Sequence, residues 1–214
     1  MKRNTYLKLL GAAGIALLSL CLTSFAGPTL QNGDFSAGLS NWTVEYGTVT
    51  DGGGYALFEE DAFDLSSTLS QVFTIPALAL QLSFDVLMYS VEDGYESPSF
   101  PDTFTAALLD PVTFDPFISW DPLVTEYYLL ENTGAIETAS GVTILGNTVS
   151  LDITNWRGQD VFLSFDLWGG DDGMFTTVSL DNVNISVIPA PGALLLGFIG
   201  TGLVGCLRRS RRIR

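Results

Sequence analysis

The 214-residue chain contains no histidine. That absence excludes Ser-His-Asp and Cys-His catalysis and every histidine metal site. Its two cysteines, Cys21 and Cys206, both fall in apolar runs near the ends, so the middle of the chain has neither a thiol nor a disulfide. Basic residues are almost as scarce. Of the nine, Lys2, Arg3 and Lys8 lie at the start and five arginines at the end, leaving Arg157 alone between them. All 24 acidic residues lie between Asp34 and Asp181. Such a region repels nucleic acid and anionic headgroups and attracts cations. No stretch of that region has a 3.6-residue apolar period with helix caps, so helices are not expected there.

The ends carry most of the long apolar runs. Residues 1–26 read as a secretory signal peptide: a basic start, an apolar stretch from Leu9 to Leu22, then Ser24 and Ala26 at the −3 and −1 positions, with cleavage expected after Ala26. An uncleaved anchor is the alternative. At the other end, Pro189, Ala190 and Pro191 precede an apolar run of about 16–18 residues, long enough to span a bilayer through residues 190–207. Arg208, Arg209, Arg211, Arg212 and Arg214 follow and are expected to stay in the cytoplasm. Gly200, Gly202 and Gly205 form a Gly-x-Gly-x-x-Gly pattern. Without a preceding strand and a βαβ unit, that pattern binds no dinucleotide.

Proline-bounded motif, apolar helix and arginine cluster, in that order over residues 187–214, resemble the PEP-CTERM sorting signal of Gram-negative bacteria. Alanine stands at position 190, where that family has glutamate. The resemblance implies an exosortase and the secretion machinery as partners, transient inner-membrane anchoring, and a final place at the cell surface or in an extracellular, biofilm-type matrix. A simple tail anchor is the alternative.

Residues 27–186 are expected to form one exported domain. Leu82–Tyr89, Val161–Trp168 and Thr177–Val187 alternate apolar and polar residues with the period of a half-buried strand, the last with a bulge at Asp181-Asn182. Gln71–Ile75, Thr103–Leu109 and Val142–Leu145 are further strands. Many short strands separated by Gly, Asn, Asp and Pro point to an all-β sandwich. Asn32-Gly33 sets a turn, Phe35 enters the core, and Trp42 caps one end of the sandwich.

The opening Asn32-Gly-Asp-Phe35 with Trp42, the Leu69-Ser-Gln-Val-Phe73 and Leu82-Ser-Phe-Asp85 strands, and the closing Ser179–Ser186 strand look like galactose-binding-like or carbohydrate-binding-module jelly rolls. The resemblance implies a jelly-roll-type β-sandwich. It also implies a structural calcium between the first and last strands, for which Asp34 and Asp181 stand at matching positions with Asn32 near, since calcium takes six to eight oxygen ligands.

For sugar binding, aromatic faces beside hydrogen-bonding groups are the expected signal. The candidates are Trp120, Trp156, Trp168, Tyr89, Tyr95 and Arg157, with Asp166 beside Trp168. The loops 90–102 and 110–122 are long enough to carry function. Paired carboxylates could hydrolyse glycosides, but 24 acidic residues single out no pair. The expectation is therefore a non-catalytic surface or matrix protein that binds polysaccharide with calcium. A structural biofilm protein without a specific ligand is the alternative, and a glycosidase-like enzyme the third.

Overall fold

The computed structural model describes residues 29–60, 66–92, 100–169 and 174–188. The signal peptide, the Pro189-Ala190-Pro191 motif, the apolar run and the arginine tail lie outside them, as does Tyr95. No helix among the described residues is long and apolar enough to cross a membrane.

The described residues form twelve strands and one 3-10 turn: β1 Thr43–Tyr46, β2 Thr48–Asp51, β3 Ala56–Glu59, β4 Ser66–Thr74, β5 Ala79–Glu92, β6 Thr103–Leu109, β7 Glu126–Glu131, β8 Ile136–Thr138, β9 Val142–Leu145, β10 Thr148–Asp152, the turn Thr154–Trp156, β11 Asp160–Trp168 and β12 Met174–Val187. They build two six-stranded sheets. The first runs β1-β4-β11-β6-β7-β8 and the second β2-β3-β12-β5-β10-β9. Every pairing is antiparallel. An all-β sandwich was the expected class.

The core follows from the period-two pattern. Leu163, Phe165 and Leu167 on β11, and Phe104, Ala106 and Leu108 on β6, face Phe84 on β5 and Val178 and Leu180 on β12 between the sheets. Aromatic rings occupy the centre. Phe84 meets Phe165 edge-on at 5.0 Å and Tyr128 at 5.7 Å, and Phe104 meets Phe58 at 5.5 Å. Edge contacts of this kind add about 0.5–1.5 kcal/mol each beyond buried area.

The expected bulge in β12 is present. Asp181 opposes Asp85 and Asn184 opposes Ser83, so β12 carries one residue more than β5 across that interval. The slip lets Leu180 and Val183 both turn inward, where strict alternation would have put one outside. Asn182 takes the left-handed conformation the extra residue requires, with φ of 53°.

The opening segment straps the two sheets together. Gln71 points into the interior from β4. Its amide accepts from Gln31 N at 2.8 Å and donates to Gln31 O at 3.0 Å. Two residues on, Gly33 O accepts from Val183 N at 2.8 Å, just past the β12 bulge. The turn that follows is organised by Asn32, whose side chain donates to Gly38 O and Ser40 O and accepts from Ala37 N. Its carbonyl accepts the Trp42 indole N–H at 3.0 Å. Phe35 is buried, as the sequence led us to expect, and Trp42, also buried, stacks on it at 5.4 Å.

Candidate carbohydrate-binding face

Because Phe165 and Leu167 face the core, Asp166 and its even-numbered neighbours on β11 point away from it. The pairing register then fixes the outer face of the first sheet in rows. One row runs Tyr46, Thr68, Asp166, Thr105, Leu129, Glu137. The row below runs Thr43, Ser70, Ser164, Ala107, Glu126. Trp168 stands above them between Ser66 and Thr103, and Phe162 below them between Val72 and Leu109. Trp168 and Phe162 are six residues apart on one strand, about 20 Å.

The floor of this face is made of small side chains. Thr68, Ser70, Thr105, Ala107 and Ser164 are buried although they point away from the core. They are more deeply buried than the Glu45, Tyr46, Asp166, Trp168, Phe162 and Glu126 around them. Tyr46 is 68% exposed and Trp168 53% exposed. At the lower end Phe114 meets Phe162 edge-on at 5.5 Å. Phe114 is placed there by the loop after β6. Asp110 accepts from Thr113 N and, less strongly, Val112 N, which holds its carboxyl below the usual range and folds the chain back so that Pro116 bridges Leu109.

The carboxylates on the face are held in place. Asp166 accepts from Thr68 Oγ1 at 2.5 Å through one oxygen and from Ser164 Oγ at 2.8 Å through the other. Burial pushes its carboxyl up, against the pull of those two hydroxyls, and the Glu126 charge pushes the same way. Glu45 Oε1 accepts from Ser70 Oγ at 3.0 Å, and Glu126 accepts from Thr125 N and Oγ1. A carboxylate offers about four acceptor positions, so Asp166 keeps two for an outside donor.

The other sequence candidates divide. Trp168 is on this face. Trp156 is half-buried against the core beside Phe117, at 6.0 Å. Arg157 donates through Nε to Ala79 O, tying the 3-10 turn to β5, and its charge lies near Asp152. Both side chains are half-buried and make contacts within the fold. Trp120 is half-buried on the core, with its indole N–H unpartnered among the described residues. Tyr89 is exposed on the outer face of the second sheet, in an apolar patch with Leu87, Val91 and Phe175. Tyr46, Glu45 and Glu126 were missed, because β1 and β7 are short and only pairing to β4 and β6 reveals what they face.

The residues proposed for calcium do not converge. The Asn32 side chain is committed to its own turn. Asp34 lines a groove of about 660 Å³ with Asp85, Asn182 and Asn184, and its Oδ1 accepts from Ser36 N and Oγ. These contacts, the Ser36 N–H first, hold its carboxyl low. Asp181 lines a separate hollow with Tyr55, Asn147 and Ser179, and Asp85 borders both. Among the described residues no three His, Cys, Asp or Glu side chains gather as a metal site. This donor set does not fit the expected ion.

No protein family matches the chain, and no curated protein does. Among solved structures it is similar to TmCBM61 in complex with beta-1,4-galactotriose, with 13% identity over 75% of this chain and 99% of that one, at a TM-score of 0.44. It is also similar to the enzymatically active domain of bacteriophage CBA120 tailspike protein 4, with 15% identity over 75% of this chain and 21% of that one, at 0.41. A carbohydrate-binding module specific for non-crystalline cellulose, CBM28, gives 9% identity over 76% and 99%, at 0.32. Likenesses this distant carry no argument about what this chain binds.

Proposed function

We propose that the chain is an exported, non-catalytic cell-surface or matrix protein that binds polysaccharide along the outer face of its first sheet. The observation that carries the reading is the arrangement of that face. Exposed aromatic rings at Tyr46 and Trp168 border a floor of small polar side chains, and Asp166 is oriented there by two hydroxyls with acceptor positions to spare. Sugar rings offer apolar faces that stack on aromatics and hydroxyls that donate to fixed acceptors. Export rests on the two terminal segments of the sequence alone.

The test is calorimetry of the full chain with the host's exopolysaccharide and a panel of soluble glycans. Saturable binding is expected, weakened about tenfold, or 1.4 kcal/mol, by Trp168→Ala or Tyr46→Ala with melting unchanged. Binding that ignores both substitutions would overturn the placement of the site, and a folded chain that binds no glycan would overturn the function.

A second reading is favoured by one observation. Leu87, Tyr89, Val91 and Phe175 form an exposed apolar patch on the outer face of the second sheet. Such patches mark packing surfaces, which suits a structural matrix protein without a glycan ligand. Concentration-dependent self-association lost in Tyr89→Ser would support it.

A further inference from the structure

We propose that the outer face of the first sheet is selective by charge: it takes glycans that carry protonated amines in preference to neutral ones and turns acidic ones away. The proposal rests on the polysaccharide reading of that same face and names the class of glycan it would hold.

Charge on the face has one sign. Asp166, Glu126 and Glu137 project from it by register, Glu45 is tied to it through Ser70 Oγ, and no basic residue among those described stands in these rows. Arg157, the one cation among the described residues, is held at Ala79 O near Asp152, away from these rows. A uronate or sulfate on this face would meet like charge with no counter-ion from the protein. An ammonium brings three donors and a charge, and bonds between ionised partners are about twice as strong as neutral ones. Asp166 is the centre of this preference. Both its oxygens are already oriented by hydroxyls, it is half-buried, and it still accepts. The aromatic borders at Tyr46 and Trp168 distinguish the face from a merely solvated acidic surface, since a ring on each side can hold a sugar while the carboxylates read its charge.

The experiment compares three probes on the full chain: a β-linked glucosamine hexamer, its fully N-acetylated counterpart, and an oligogalacturonate of equal length. The amine form should bind at least tenfold tighter than the acetylated form. Raised salt, and the Glu45→Gln/Glu126→Gln double variant, should both narrow that gap, while the oligogalacturonate stays unbound. Equal binding of the amine and acetylated forms, or oligogalacturonate binding as tight as either, would overturn the charge selectivity and leave the polysaccharide reading standing. Failure of all three probes and of the exopolysaccharide on a folded chain would overturn both.

Discussion

Gly33 is where the opening segment crosses the last strand, and replacing it with alanine tests how the two sheets are held. A Cβ at Gly33 would stand 1.8 Å from Val183 O and 3.3 Å from Val183 Cβ. Ordinary contact begins near 3.4 Å, so backbone must retreat by about 1.6 Å. That displacement breaks the 2.8 Å bond from Val183 N to Gly33 O, a loss of about 1 kcal/mol. It also draws Val183 partly out of the core, where full burial of a valine contributes about 1.5–3 kcal/mol. The sum is about 2–4 kcal/mol, which for a domain of about 150 residues lowers Tm by roughly 5–15 °C. Gly134→Ala is the control. Its φ is +87° and a Cβ there meets nothing within 4 Å, so it reports left-handed strain alone, about 1–2 kcal/mol. Thermal melts of both variants decide the matter. If Gly33→Ala melts within about 2 °C of the wild type, or no lower than Gly134→Ala, the strap does not hold the sheets as described.

Two further predictions concern buried acids and phenols. The Tyr127 hydroxyl is buried without a hydrogen-bond partner among the described residues, and burial pushes its ionisation far up; Tyr127→Phe should raise stability by about 1 kcal/mol, read as a higher denaturant midpoint at unchanged slope. Asp166 holds its proton more tightly folded than unfolded. Its contribution is therefore fully present below the ordinary aspartate value of 3.8 and is lost as pH rises through the higher folded value. Asp34, Asp110 and Asp152 are held low and slope the other way, losing stability as pH falls. The difference between wild type and Asp166→Asn isolates the first effect: the variant should gain relative stability as pH rises from 4 toward 7, and a difference independent of pH would refute the assignment.

Much of the fold was legible because its central strands are long and half-buried. Thr103–Leu109 matches β6, and the bulge at Asp181-Asn182 could be placed because strict alternation would have stranded Val183 outside. The motifs also carried physical reasons that pairing made plain, such as Gln71 pinning Gln31. What stayed illegible was the short edge elements. In β1, Glu45 falls at a register shift between Val44 and Tyr46, and four residues show no periodicity from which to assign a face. The tryptophans are hard to sort for a related reason. An indole has both an apolar body and a polar edge, so composition alone could not separate Trp156, which packs on the core, from Trp168, which looks outward. Arg157, the lone cation of the domain, donates to a backbone carbonyl that its sequence neighbours do not reveal.

The extra residue in β12 changes how this chain can be cut and joined. Upstream of Asn182 even-numbered positions face inward, as at Val178 and Leu180; downstream the odd ones do, as at Val183 and Ile185. Parity is thus inverted between the two halves of a single strand. A transplant of residues 183–188 onto a sandwich lacking the insertion would present its apolar side chains to water unless one residue were added at the joint. A comparison of distant sequences that forbids a gap inside a strand would misalign everything after this point, and a natural deletion there would discard the inward frame of the whole terminal segment at once.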